Sequence, residues 1–167
     1  MRKTIYTLLF ALIWSVGFAQ SAKEFYNSGN LKLDKGQYRE AIKDYDNSIK
    51  LDETFPNVFY NRAVAKNSIK DYTGAIADYT KAIELDPTNK LAYNNMGLIK
   101  KNLKDYDGAI SAYTKAIEID SSYAPAYFNR GNVKVLMEQP ELGCEDFKKA
   151  VSLGSNKALE YVAKYCK

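Results

Sequence analysis

Hydrophobic and polar positions along this chain repeat at a fixed long interval. YTKAIELD at 79–86 returns as YTKAIEID at 113–120, 34 residues later. Looser copies, YDNSIKLD at 45–52 and FKKAVSLG at 147–154, keep the same spacing. Set out in blocks of 34 starting at Ala22, Pro56, Lys90 and Ala124, the chain stays in register through four copies. The fourth place of each block is aromatic: Phe25, Phe59, Tyr93, Tyr127. The eighth is small: Gly29, Ala63, Gly97, Gly131. The twentieth holds Ala41, Ala75, Ala109 and Gly143, and the twenty-seventh Ser48, Ala82, Ala116 and Ala150. The twenty-fourth is aromatic again: Tyr45, Tyr79, Tyr113, Phe147.

Each block reads as two helices. The first helices are expected over 22–35, 56–69, 90–103 and 124–137, and the second over 38–51, 72–85, 106–119 and 140–153. Small residues at places 8, 20 and 27 let helices approach, and the aromatics fill the space between them. A single block cannot bury its apolar face alone, so it stacks on the next. Pro140 is acceptable in this scheme because it opens a helix, where a missing N–H loses no bond. The last copy needs an end. KALEYVAKYCK at 157–167 reads as a capping helix with Ala158, Val162 and Tyr165 inward, Leu159 and Cys166 beside them, and Lys157, Glu160, Lys164 and Lys167 polar.

This 34-residue pattern resembles the tetratricopeptide repeat family. The resemblance covers about 22–157. It departs from the family pattern in carrying Lys at place 11 and Pro at place 32 in one block alone. It implies an all-α, right-handed α-solenoid of helix–turn–helix repeats at 22–55, 56–89, 90–123 and 124–157, closed by a cap at 158–167. It also implies a concave groove lined by the first helices, at places 2, 5, 6, 9, 12 and 13. Those places hold Tyr26, Asn27, Asn30, Tyr60, Asn61, Asn94, Asn95, Phe128, Asn129 and Asn132. Place 6 is Asn in every block. A carboxamide offers two donors and an acceptor, which suits a peptide backbone whatever its side chains. The same amides could equally bond only the neighbouring repeat. If they serve a ligand, Ala at Asn61 and Asn95 should weaken binding and leave the melting temperature nearly unchanged. The charged grip on a C-terminal carboxylate used by some members is not expected, because its lysine places hold Tyr26 and Leu91.

The amino end changes the compartment. Arg2 and Lys3, an apolar run from Ile5 to Val16, and Gly17-Phe18-Ala19 read as a signal peptide over 1–19. An exported protein, periplasmic or secreted, is therefore expected, with no membrane span after cleavage. Cleavage would remove two of the basic residues behind the formal charge of +4. The remainder is too weakly basic for a nucleic-acid binder. The lysines at place 11, Lys32, Lys66, Lys100 and Lys134, read either as an anion track or as packed stems with wet ammonium groups. Asp44, Asp78, Asp71 and Asp105 read as solvated helix faces and helix starts.

No histidine is present. The commonest general base and metal ligand is thus missing. With no Gly-rich phosphate loop or paired metal ligands, no enzyme, cofactor or metal is expected. Cys144 and Cys166 are the only thiols and flank the 153–156 turn. Two antiparallel helices joined there would bring them together, which in an oxidising compartment gives a disulfide. Two buried thiols are the other reading. The expected function is a non-enzymatic interaction module that binds a peptide or protein segment in the groove. The alternative is an envelope assembly or scaffold protein acting through its convex face, its ends or self-association.

Overall fold

The computed structural model describes residues 21–166. The expected signal peptide over 1–19 and Lys167 lie outside the described residues. The described part is α-helical. Helix α1 covers 21–34. It is followed by α2 Tyr38–Leu51, α3 Pro56–Ser68, α4 Tyr72–Leu85, α5 Lys90–Asn102, α6 Tyr106–Ile119, α7 Ala124–Leu136, α8 Pro140–Ser152 and α9 Asn156–Tyr165. The expected ends of α3, α5, α7 and α8 are one residue too long. Ile69, Leu103, Met137 and Leu153 are C-caps, where the backbone has left the helix.

The same turn ends the first helix of every repeat. At place 15 the backbone enters the left-handed region, at Gly36, Lys70, Lys104 and Glu138. The next N–H bonds back to the carbonyl five residues earlier: Gln37 to Lys32, Asp71 to Lys66, Asp105 to Lys100, Gln139 to Lys134, each 2.9 Å. This closes the orphan carbonyls of the helix end. Three of the four turns do so without glycine, at a cost of roughly 1–2 kcal/mol per left-handed residue. Asp71 and Asp105 then act as the expected helix starts, accepting from the N–H of Gly74 and Gly108 at 3.0 Å. Between repeats, Asp52, Asp86 and Asp120 each accept from the N–H and hydroxyl of the residue two further on.

The chain divides between Leu85 and Asp86 into two compact units. In the first, Ala41, Tyr45, Val58 and Ala65 are fully buried. In the second, one cluster centres on Tyr113 with Ala109, Ala116, Ala126 and Val133, and another on Phe147 with Phe128, Ala150 and Ala158. The place-24 ring sets the place-8 residue. A Cβ at Gly29 would lie 2.6 Å from the Tyr45 ring, one at Gly97 2.7 Å from Tyr113, and one at Gly131 2.8 Å from Phe147. Interiors packed at crystal density leave no room for that atom.

The acidic residues correct the sequence reading. Asp44 and Asp78 are not solvated. They are buried, with Asp146, and all three stand at place 23. Each meets a cation from the first helix of its own repeat. Lys32 pairs with Asp44 at 2.6 Å, Lys66 with Asp78 at 2.8 Å and Lys134 with Asp146 at 2.8 Å. The place-11 lysines of these three repeats are therefore neither an anion track nor wet ends. In two repeats an arginine at place 7 completes the group. Arg62 forks onto Asp78 through Nε and a terminal nitrogen, and reaches Asp46 with the other. Arg130 forks onto Asp146 and reaches Thr114 Oγ1 at 3.0 Å. The third block lacks both partners, with Met96 and Ala112, and its Lys100 turns to the helix-starting Asp105. Burial works against the Arg62 charge, but Asp78 and then Asp46 outweigh it and its pKa rises. Arg130 is raised by Asp146.

The cap is held by aromatic packing. Ala158 is fully buried. Tyr161 meets Phe128 edge-on at 4.9 Å and Phe147 at 5.1 Å, and Tyr165 lies 6.0 Å from Phe147. The inward stripe is therefore 158, 161, 162 and 165, the spacing of one helix face. Leu159, expected beside it, is 52% exposed.

Tyr45 and Tyr113 differ in one hydrogen bond. Tyr45 donates to Asn30 Oδ1 at 2.9 Å. Tyr113 Oη, equally buried, has no partner. Where the first block has Asn30 the third has Leu98, which packs against the Tyr113 cluster. Burial raises both phenol pKa values. Tyr45→Phe should therefore lower stability by about 1 kcal/mol, and Tyr113→Phe should leave it unchanged or raise it by a similar amount. Urea unfolding of the two variants checks this; equal losses would show that the hydroxyls are equivalent.

Candidate functional site

The candidate site is the set of first-helix side chains at places 5, 6 and 9, some of which pack against the place-24 rings. In the first unit, Asn27 is exposed while Tyr26, Asn30, Tyr60 and Asn61 are half-buried. The structure ties three of them together. The Asn61 amide donates to Asn30 Oδ1 at 2.8 Å and to Tyr26 Oη at 3.2 Å. Asn30 Oδ1 thus receives both Asn61 and the buried Tyr45. Asn61 is a strut between α1 and α3. These bonds predict that its replacement costs stability, where the sequence reading expected an Asn61→Ala change to spare the melting temperature. Asn27 makes no such bond and is exposed.

In the second unit the geometry differs. Asn94 is buried, accepts from Asn129 Nδ2 at 2.9 Å and donates to Asn95 Oδ1 at 3.3 Å. Asn129 therefore repeats the strut of Asn61, one repeat pair further on. Asn132 donates to its own helix at Phe128 O, 3.0 Å away. Phe128 is mostly buried under Tyr161 of the cap, with Lys157 Nζ 5.0 Å from its ring centre. Asn95 and Asn132 remain half-exposed. Two adjoining clefts open here. One, of about 390 Å³, is bounded by α5, α7 and α9 and includes Leu98, Lys101, Asn129 and Asn132. The other, of about 440 Å³, lies between the start of α7 and the α8–α9 turn. Phe128, Asn129 and Lys157 line both.

Sequence reasoning missed the cap's share in this face, Tyr161 and Lys157, and the buried place-23 carboxylates. The carboxylates had a signal. Arg62 with Asp78 and Arg130 with Asp146 occur together, and in the third block both are replaced together. Among the described residues no cluster of acidic residues and cysteines could hold a metal ion. No described helix is long and apolar enough to cross a membrane. Cys144 and Cys166 are brought together, with Cα atoms 5.2 Å apart. That distance suits a disulfide.

The TPR repeat model matches residues 29–68 and 65–104, and tetratricopeptide repeat models match 91–123 and 124–161. The chain belongs to the tetratricopeptide repeat family. Solved structures agree. A crystal structure of MamA superposes with a TM-score of 0.79 at 27% identity, covering 83% of this chain and 81% of that one. PilF of Pseudomonas aeruginosa gives 0.79 at 22%, covering 89% and 69%. YrrB, described as a TPR protein with an unusual peptide-binding site, gives 0.76 at 21%, covering 97% and 86%. No curated protein sequence matches the chain. Tetratricopeptide proteins are generally non-enzymatic scaffolds, and this one is built as a protein–protein interaction module.

The Asn61 strut carries a prediction. Asn61→Ala should cost about 1 kcal/mol by removing the donor to Tyr26 and the second of the two donors to Asn30, which keeps Tyr45. Denaturant unfolding measures it, with Asn27→Ala as the reference that should change little. A cost at Asn27 equal to that at Asn61 would remove the strut from the account.

Proposed function

We propose that this protein is an exported, non-catalytic interaction module that holds a peptide or protein segment along its first-helix face. One observation carries the reading. Exposed or half-exposed carboxamides recur on that face in both units, at Asn27, Asn30 and Asn61 and at Asn95, Asn129 and Asn132, and several are already fixed by bonds to one another. An amide held in place loses little freedom when it meets a peptide group, so the binding surface is pre-organised. The half-exposed Tyr60 adds rigid contact area.

A second reading rests on Leu142 and Leu159, exposed on the last two helices at 46% and 52%. There an end-to-end or self-association contact would make the protein a scaffold. Affinity capture from the envelope fraction separates the two, using the chain from Gln20 as bait with two variants. Asn27→Arg places a bulky charge on the first-helix face without breaking a bond. Leu142→Lys/Leu159→Lys alters the end. A partner lost with Asn27→Arg and kept by the leucine variant is the expected result. The reverse pattern, or a doubled mass in solution abolished by the leucine variant, would give the function to the ends.

We also propose that Cys144 and Cys166 are oxidised in the exported protein and pin the cap. The cross-link spans 22 residues, which in the chain-entropy model corresponds to roughly 3 kcal/mol. Thiol titration of unreduced protein should find no free thiol. Reduction should speed amide exchange in α9 before the rest of the fold. Two titratable thiols, or exchange in α9 unaffected by reductant, would end this proposal.

A further inference from the structure

The capping helix repeats the first helix of the array. Ala22-Lys23-Glu24-Phe25 of α1 and Ala158-Leu159-Glu160-Tyr161 of α9 stand four periods apart, so α9 occupies the place of the first helix of a fifth block. In the complete repeats such a helix packs on the second helix before it, as α3 does on α2 and α7 on α6. Helix α9 takes that seat on α8, with Ala158 fully buried at place 1 and the Tyr161 ring at place 4 against Phe128 and Phe147. At place 8, where the complete blocks keep a small residue under their own place-24 ring, α9 carries Tyr165, which packs on Phe147. It fills the seat without being able to receive a second helix of its own.

Helix α1 carries the complementary half. Of the five place-4 rings Phe25 is the exposed one, at 37%, and no described helix precedes α1. The place-6 amide of α1 also lacks what its equivalent has. Asn61 donates to Asn30, at place 9 of the block before, and Asn27 has no such partner. Asn132, at place 9 of the last complete block, donates its Nδ2 to Phe128 O and keeps Oδ1 as an acceptor. The α1 of a second copy would bring Phe25 to where Tyr161 sits and Asn27 to Asn132, backed by α2 and a packed unit. Helix α9 has ten residues, a length that is marginal by itself. Two attachments hold it on α8: the short 153–156 turn and the Cys144–Cys166 pair.

We propose that the α8 seat is a docking site for α1 of a second copy, and that the Cys144–Cys166 cross-link holds it closed. Cross-linked chains stay apart, and reduced chains add one on another. The contact is heterologous, so it extends beyond two copies. Reduced α9 is still tethered by its turn and competes from a high effective concentration, which makes the exchange depend on protein concentration. The cross-link lines an open cavity of about 500 Å³, with Glu145, Lys148 and Lys164 around it, where a small dithiol can reach the sulfurs. One thiolate of the dithiol attacks a cysteine sulfur, forming a mixed disulfide and releasing the other cysteine as thiolate. The second thiol then attacks the mixed disulfide, so the dithiol leaves as its own disulfide and both cysteines as thiols. The inference rests on the oxidised pair proposed above and is independent of the peptide-binding reading.

Sedimentation velocity on the chain from Gln20 tests it. The cross-linked protein should be a monomer. Cys144→Ser/Cys166→Ser, which leaves the seat permanently unlatched, should gain mass with concentration, and adding Phe25→Glu should return it to a monomer. Phe25 is exposed, so thermal unfolding of the cross-linked protein should not change with Phe25→Glu. The deciding arm mixes cross-linked wild type, whose α1 is free and seat closed, with Cys144→Ser/Cys166→Ser/Phe25→Glu, whose seat is open and α1 blocked. A one-to-one complex of about twice the monomer mass, and nothing larger, is expected from a heterologous contact with one end blocked on each side. A monomeric serine variant at the highest soluble concentration, assemblies that survive Phe25→Glu, or no complex in the mixture overturns the docking site. Cross-linked protein that assembles as readily as the serine variant overturns the latch, and loss of that assembly with Leu142→Lys/Leu159→Lys would give it to the outer leucines. Two free thiols in the exported protein overturn the latch but not the docking, which the mixture decides by itself.

Discussion

Everything in this fold depends on an aromatic ring pressed against a residue with almost no side chain. The ring at place 24 lies over the small residue at place 8 of the same repeat, so closely that glycine at Gly29, Gly97 and Gly131 leaves no space for a Cβ. This contact sets the distance between the two helices of a repeat. It also decides which face of the first helix is covered and which remains for a partner. The side chains at places 5 and 9 partly pack against that ring, as Tyr26 and Asn30 do against Tyr45 and Phe128 does against Phe147, while the place-6 asparagines stay at least partly exposed.

Polar groups inside the repeats are paired according to what each block supplies. A buried carboxylate at place 23 is costly without partners, and the chain supplies Lys at place 11, with Arg at place 7 in two blocks. The third block has dropped the acid and the arginine together. It also has Leu98 where Asn30 serves Tyr45, and it keeps the tyrosine, whose hydroxyl is left alone. This block is therefore the least polar inside. It is also where Leu98 and Lys101 contribute to the cleft bounded by α5, α7 and α9. A lysine bound to a buried aspartate is part of the scaffold.

Much was legible from the sequence. Helix boundaries within the four repeats followed from the period to within a residue, because the left-handed turn recurs at place 15 and proline or a capping side chain opens several of the helices; the cap, expected over 158–167, runs over Asn156–Tyr165. The candidate residues were placed on the first helices correctly. Their condition was not legible. Asn61 and Asn129 are struts, Asn94 and Phe128 are largely buried, and Asn27 is open. Asn27, Asn61 and Asn129 share place 6, and Asn94 and Phe128 share place 5 with the half-buried Tyr26 and Tyr60; what separates residues at one place is the neighbour each one meets. The aspartates at place 23 were misread for the same reason: charge alone suggests solvent, and only the position of the facing cation shows burial.

The sequence by itself determined the repeat, its period, the helix pairs and the family, since these follow from local spacing and from residue size at fixed places. The packing of the capping helix was decided only in three dimensions. The linear pattern put Ala158, Val162 and Tyr165 inward with Leu159 beside them and left Tyr161 out, but Phe128 and Phe147 accept Tyr161 and Leu159 is exposed. The part played by each lysine was likewise decided there. Lysines are frequent along the chain, and the ones that belong to the scaffold are those that a buried carboxylate reaches. That is a matter of distances between helices, which periodicity does not contain.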